Sequence, residues 1–174
     1  YSIVDSIVKI DQLSEKAQQY NYESIAITDS ANLFGFLKFY KSVRSKGIKP
    51  IAGAEINHVR DSSSHNEHAN LTLIAKNHLG YKNLIKLISK SQIVGKTSGI
   101  PVIETEWLAE HSDGLIALSG GFRGHIGKAV LDTNHDLFLK RIKYFQKIFK
   151  EDFILEISRI NRPQEDLYND YIPV

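Results

Sequence analysis

The sequence contains no cysteine and no methionine, and each absence excludes something. Without cysteine there is no disulfide and no thiolate metal ligand, which fits a protein of a reducing compartment such as the cytoplasm. Without methionine there is no start residue, so we expect the 174 residues to be part of a longer gene product. No apolar run reaches the roughly 18 residues of a membrane-spanning helix, so we predict no membrane partner.

An excess of either charge is also missing, because 22 Lys and Arg residues stand against 20 Asp and Glu residues. A formal net charge of +2 excludes a uniformly basic nucleic-acid binder but leaves room for a local basic face. Five cations do cluster, at Lys38, Lys41, Arg44, Lys46 and Lys49. On an amphipathic helix they form either a solvated face or a DNA contact, and the sequence leaves both open.

Strand-like and helix-like segments alternate along the chain. Short apolar runs predict strands at 24–28, 48–56, 71–75, 115–118 and 153–157. Apolar residues at helical spacing predict helices around 13–20, 36–43, 81–88 and 138–149, and Pro163 predicts the start of a last helix. This alternation predicts one α/β domain, with a mainly parallel sheet or barrel and helices outside it.

Carboxylates follow two of the predicted strands, at Asp29 and Glu55. In parallel α/β folds, functional groups collect at the carboxyl ends of strands. Two carboxylates there would bind a hard cation or act as acid and base. Alternatively, Asp29 caps the following turn and Glu55 pairs with a cation. The next residue, Ser30, is a poor metal ligand, and catalytic metal sites usually have three or more ligands, often including histidine.

Three other motifs carry weaker predictions. His58, His65 and His68 lie in a polar stretch at 58–69, where we expect solvated side chains in a loop. Residues 122–129 (FRGHIGKA) lack the first glycine and the final Ser or Thr of a phosphate-binding loop, so we expect a strand-to-helix turn. Trp107 is predicted to be a packing anchor.

A set of short segments, in order and over essentially the whole chain, resembles the N-terminal PHP (polymerase and histidinol phosphatase) domain of bacterial DNA polymerase III alpha subunits. Each segment alone is a weak signal, whereas the ordered set is highly specific. The segments are YSIVD (1–5), AITD (26–29), NLFG (32–35), FY (39–40), GIKPI (47–51), GAE (53–55), AKN (75–77), GYKNL (80–84), WL (107–108), GLIALSG (114–120) and RP (162–163).

The resemblance implies a distorted (β/α)7 barrel, with a metal cluster at the carboxyl ends of the strands in active members. The family domain is longer than this chain. Its first strand, carrying a His-x-His pair, would precede Tyr1, and its last strands would follow Val174. Residues 1–174 are therefore expected to be a truncated fragment of a PHP domain.

The resemblance also implies which residues occupy the metal-ligand positions. Active members have an acid at position 5, Asp-His at 29–30, Glu at 55, His at 70, and Cys or His at 121. Here the retained residues are Asp5, Asp29 and Glu55, and the lost ligand positions hold Ser30, Asn70 and Gly121. Every loss removes an imidazole or a thiolate, the ligands that hold zinc or manganese best.

These losses lead us to expect a degenerate, metal-free domain without phosphoesterase activity. By resemblance, the parent chain is a magnesium-dependent replicative DNA polymerase whose catalytic carboxylates lie outside this fragment. The domain would dock the proofreading exonuclease (epsilon) subunit and support the polymerase, and the parent chain would contact DNA and other replicase subunits. Two alternatives remain. One is a residual phosphoesterase that holds a cation weakly through Asp5, Asp29 and Glu55, and the other is a DNA-contacting module.

Overall fold

The computed structural model describes residues 8–59, 68–97 and 99–172, and these ranges contain seven strands and seven α-helices. The strands are β1 (Ser24–Ser30), β2 (Lys49–Val59), β3 (Ala69–Ala75), β4 (Lys96–Thr97), β5 (Ile100–Glu104), β6 (Leu115–Leu118) and β7 (Phe153–Ile154). The helices are α1 (Ile10–Gln19), α2 (Phe36–Arg44), α3 (His78–Ile93), α4 (Thr105–Glu110), α5 (His125–Leu131), α6 (His135–Phe149) and α7 (Glu165–Tyr171). Short 3-10 helices occupy Gly121–Arg123 and Lys150–Asp152.

The strands form one mixed sheet centred on β2. The sheet order is β4-β5-β2-β3-β6-β7. Strands β1 and β5 both pair with the same edge of β2: β1 with its first part, Lys49 to Glu55, and β5 with its last three residues. The predicted α/β class is confirmed. The predicted mainly parallel pairing is wrong at β3, which is antiparallel to both β2 and β6. The nine residues between β2 and β3 are too few for the crossover of a dozen or more residues that parallel strands need.

Several predicted boundaries differ in the structure. β2 extends to Val59, beyond the predicted end at residue 56, because β5 pairs with its last three residues. β7 ends at Ile154 rather than 157, and α7 begins at Glu165 rather than at Pro163. The strands β4 and β5 and the helices α4 and α5 lacked a sequence pattern strong enough to predict them.

The helices cover one face of the sheet. Along β2, Ala52, Ala54 and Ile56 are buried whereas Glu55 and Asn57 are half-buried, as expected when side chains alternate between a helix-covered face and an open face. We call these two sides the helix face and the open face. The main core includes Leu73, Leu84, Leu108, Ile126 and Phe145.

A second, smaller core joins α1 and α2 to β1. It consists of Ala17, Phe39, Val43 and Ile48. The prediction for Trp107 is confirmed, because the ring is 9% exposed and belongs to the main core. Within the described ranges, no helix has the length and apolar character that a membrane span requires.

Candidate functional site

Asp29 and Ser30 end β1 on opposite faces of the sheet. Asp29 pairs in register with Ala54, and Ser30 pairs with Glu55. Since Ala54 is on the helix face, Asp29 points toward the helices, and it is only 8% exposed. Ser30 is exposed on the open face beside Glu55.

The carboxylate of Asp29 stabilises the turn between β1 and α2. Its Oδ2 accepts a hydrogen bond from the N–H of Gly35 at 3.2 Å. A Cβ at position 35 would lie 2.6 Å from that same oxygen, so a larger residue there would displace the Asp29 carboxylate. The structure therefore gives Asp29 the turn-capping contact that was the alternative to metal binding.

Glu55 lies on the open face together with Ser30 and Asn70, two residues at positions where the resemblance implies a lost ligand. It is in register with Thr72 of β3, and two residues further along, Asn57 is in register with Asn70. The backbone of Asn70 packs closely against Gly120, which follows β6. A Cβ added to Gly120 would lie only 2.3 Å from the Asn70 carbonyl oxygen. Gly121 follows with a φ of +55°, in open space. The structure thus places Ser30, Glu55 and Asn70 on one face and separates Asp29 from them, while Asp5 lies outside the described residues.

A further carboxylate, Glu156, joins this region two residues after β7. The N–H of Gly120 donates to the Glu156 carboxylate, and the backbone N–H of Glu156 donates to Ser119 Oγ at 2.9 Å. Oε2 of Glu156 is buried and has no hydrogen-bond partner among the described residues. Burial raises the pKa of Glu156, and the nearby charge of Glu55 raises it further, although the Gly120 hydrogen bond opposes both effects.

Sequence reasoning did not single out Glu156. The available signal was a charged residue inside the apolar run FILEI at 153–157, which predicted a buried strand. A carboxylate in such a run has to find a polar neighbour or carry a perturbed pKa, so this pattern could have marked the position.

The prediction of solvated loop histidines is wrong for His58. His58 is fully buried within β2, not solvated in a loop, and its ring makes an edge contact with His125 at 5.1 Å between centroids. The extended pairing of β2 with β5 draws this residue into the core. His68 lies just before β3, where its carbonyl accepts from Lys128 Nζ at 2.7 Å. His65 lies outside the described residues.

The described side chains do not fit the multinuclear metal cluster that the resemblance implies in active members. Zinc sites depend on imidazole or thiolate ligands, and the open face offers a hydroxyl at Ser30 and an amide at Asn70 instead. In the described part of the chain, no three His, Cys, Asp or Glu side chains lie close enough together to hold a metal ion. Glu55 and Glu156 alone are two carboxylates that repel each other.

Comparison with known proteins adds family information. Residues 1–160 match the profile of the PHP domain family. The chain is 40% identical over 168 residues to the DNA polymerase III subunit alpha of Vibrio cholerae, 39% over 168 residues to that of Escherichia coli K12, and 40% over 169 residues to that of Buchnera aphidicola from Acyrthosiphon pisum. Each alignment covers 97% of this chain and 14% of the relative's length.

Proposed function

Because the chain belongs to the PHP domain family and matches the N-terminal region of DNA polymerase III alpha subunits, we propose that it is a non-catalytic PHP scaffold within a replicative polymerase. In this proposal the domain holds no catalytic metal. It docks the proofreading exonuclease (epsilon) subunit and supports the polymerase part of the parent chain.

The observation that carries the proposal is the separation of Asp29 from Glu55. The two carboxylates point to opposite faces of the sheet, and that of Asp29 is engaged by the N–H of Gly35. A metal cluster needs its ligands to converge on one point, whereas here one retained carboxylate stabilises a turn. Asp29 therefore has a structural role that does not require a metal ion.

The lost ligand positions support the same proposal. Ser30, Asn70 and Gly121 replace ligands, yet the strands and turns that carry them keep their pairing and core packing. Retention of the fold without the ligands is the pattern expected when the domain serves binding rather than hydrolysis.

The activity of the whole parent chain is part of the proposal. We infer template-directed DNA synthesis, with magnesium held by carboxylates elsewhere in the parent chain, and contacts of that chain with DNA and other replicase subunits. This chain spans 14% of the length of these relatives, so we assign those functions to the rest of the parent chain.

The proposal is tested with the full-length parent chain and the purified exonuclease subunit of the same organism. We expect a stable complex by analytical ultracentrifugation that persists after chelation of divalent ions with EDTA, because docking by a scaffold uses no metal. Lack of a complex would overturn the docking role. Dissociation by EDTA, reversed by manganese, would overturn the metal-free role.

A further inference from the structure

A pocket with a basic lining lies where the turn after β6 meets the start of β3. It has a volume of about 370 Å³ and is lined by two cations, Arg123 and Lys128, by two side-chain amides, Asn70 and Gln164, and by the ring of Phe122. We call it the basic pocket. Among the described residues, no Asp or Glu lines it. Both cations belong to the segment 122–129, which the structure folds as the end of a 3-10 helix and the start of α5.

Both cations of the basic pocket are accessible to a ligand. Arg123 and Lys128 are exposed, and within the described ranges neither takes part in an ion pair. The ammonium group of Lys128 donates to the His68 carbonyl at 2.7 Å, which holds it at the pocket and leaves its other N–H donors for a ligand. An arginine fork and a lysine point charge are groups that proteins use to bind phosphate oxygens. The basic pocket therefore favours an anion with several acceptor oxygens.

Close packing of two glycines fixes the backbone that carries Arg123. A Cβ on Gly124 would lie 1.8 Å from the carbonyl oxygen of Ser119, and a Cβ on Gly127 would lie 2.3 Å from the carbonyl oxygen of Gly121. These contacts are with backbone atoms, which cannot move aside alone. Because the backbone is already ordered, binding of a ligand restricts chiefly the arginine side chain, and the entropic cost of binding is reduced.

One wall of the basic pocket is apolar. Phe122 and Leu131 line it, and Phe122 is half-buried against the main core. The guanidinium carbon of Arg123 lies 5.9 Å from the centroid of the Phe122 ring, so the cation and the apolar wall adjoin. Aromatic side chains stack on nucleobases regardless of sequence. The volume of the pocket also falls within the range of about 300–1,000 Å³ that is usual for small-molecule sites, so it has room for a base beside a phosphate.

The basic pocket does not use the retained carboxylates. Neither Asp29 nor Glu55 lines it, and of the lost ligand positions only Asn70 does. A carboxylate in the lining would repel a phosphate, so this composition favours binding of the anion directly by cations. Such binding requires no metal ion and implies no hydrolysis.

We propose that the basic pocket binds the phosphate group of a nucleotide, either free or within a single strand of nucleic acid. Arg123 and Lys128 bind the phosphate oxygens, the amides of Asn70 and Gln164 donate hydrogen bonds to the same ligand, and the base lies against Phe122. This inference goes beyond the scaffold role proposed above and does not depend on docking of the exonuclease.

Hydrogen exchange of the full-length parent chain, followed by mass spectrometry of its peptides, tests the inference. The probes are dAMP and a single-stranded dT oligonucleotide, each with EDTA present, and deoxyadenosine is the uncharged counterpart of dAMP. We expect a phosphate probe to slow exchange in residues 120–131 and deoxyadenosine to leave it unchanged. Slowing by dAMP supports a site that accepts free nucleotides, and slowing by the oligonucleotide alone supports a site for a strand. Because the readout is local, binding at the polymerase site elsewhere in the parent chain does not interfere.

Two variants and a control assign the effect to the basic pocket. Arg123→Ala with Lys128→Ala should raise the probe concentration for half-maximal slowing about tenfold or more, because two charged hydrogen-bond donors are lost. Arg123→Ala alone keeps the hydrogen bond from Lys128 to His68, and it should weaken binding without affecting the fold. Lys82→Ala with Lys86→Ala, at exposed positions on α3, is the matched control and should leave binding unchanged.

Three results would overturn the inference. They are an absence of slowing in residues 120–131 with both phosphate probes, equal slowing by deoxyadenosine, and unchanged binding by the variants that lack Arg123.

Discussion

At the scale of single residues, the two strand-end carboxylates Asp29 and Glu156 differ in how well their oxygens are satisfied. The Oδ2 of Asp29 accepts a hydrogen bond from the N–H of Gly35, in the turn that follows β1. Glu156 has a hydrogen bond from Gly120, but its Oε2 is buried without a partner among the described residues. A buried acceptor without a partner costs free energy, and the charge of Glu55 adds to that cost.

Glu156 is therefore expected to destabilise the fold when it is ionised. Its pKa is raised above its ordinary value of 4.5, so the folded state binds more protons than the unfolded state just above that pH. The contribution of this residue to stability is favourable at low pH and is lost as the pH rises through the raised pKa. We predict that Glu156→Gln increases the free energy of unfolding at pH 7 by about 1 kcal/mol.

Urea unfolding of residues 1–174 across pH 4 to 8 measures this effect. The gain from Glu156→Gln should shrink toward pH 4, where the wild-type carboxyl is protonated. Glu110→Gln, at an exposed position on α4, is the control and should change little. A variant that is less stable than the wild type at pH 7 would show that the ionised Glu156 makes a favourable contact.

Single residues also show why the sequence predicts only part of the site. Asp29 and Glu55 are recognisable because carboxylates follow apolar runs. The face to which each points depends on pairing register, and a shift by one residue exchanges the two faces. Ser30 rather than Asp29 accompanies Glu55 for this reason.

At the scale of elements, segments with a clear apolar pattern were predictable, including the four-residue strand β6, whereas β4, β5, α4 and α5 were not. The helix around 138–149 and the strand at 71–75 agree with α6 and β3 because their apolar spacing covers the whole element. The end of β2 depends on pairing with β5, a contact remote in sequence, so the burial of His58 had no local signal. The reversed direction of β3 also depends on its partners in the sheet rather than on its own residues.

The start of α3 packs closely against the backbone of Gly114, so we expect a substitution there to lower the stability of the fold. Asn77 caps the helix by accepting from the N–H of Gly80 at 3.0 Å. A Cβ on Gly80 would lie 1.7 Å from the carbonyl oxygen of Gly114, which is backbone and cannot move aside alone. We predict that Gly80→Ala destabilises the fold by about 3 kcal/mol, despite the better helix propensity of alanine.

The measurement is the loss of free energy of unfolding in urea, followed by circular dichroism. Ser89→Ala, at an exposed position in the same helix, is the control and should be neutral or slightly stabilising. If the Gly80→Ala variant is as stable as the wild type, the start of α3 and the Gly114 turn can move apart with little loss of free energy.

At the scale of the whole molecule, the two faces of the sheet carry different side chains. The turn that Asp29 caps carries Phe34, whose side chain is 76% exposed. The open face carries a hydroxyl at Ser30 and an amide at Asn70, at positions where the resemblance to the family implies metal ligands in active members. The metal-free scaffold proposed above predicts that this face binds no metal ion.

The most direct test of the central claim is the zinc and manganese content of the purified, full-length parent chain after dialysis against each ion. Ser30→His with Asn70→His is the positive control, because it returns two imidazoles to the face that carries Glu55. We predict that Glu55→Gln leaves the zinc and manganese content of the parent chain unchanged, and that the variant with two added histidines gains bound metal. A full equivalent of either ion in the wild type, lost on Glu55→Gln, would contradict the metal-free scaffold.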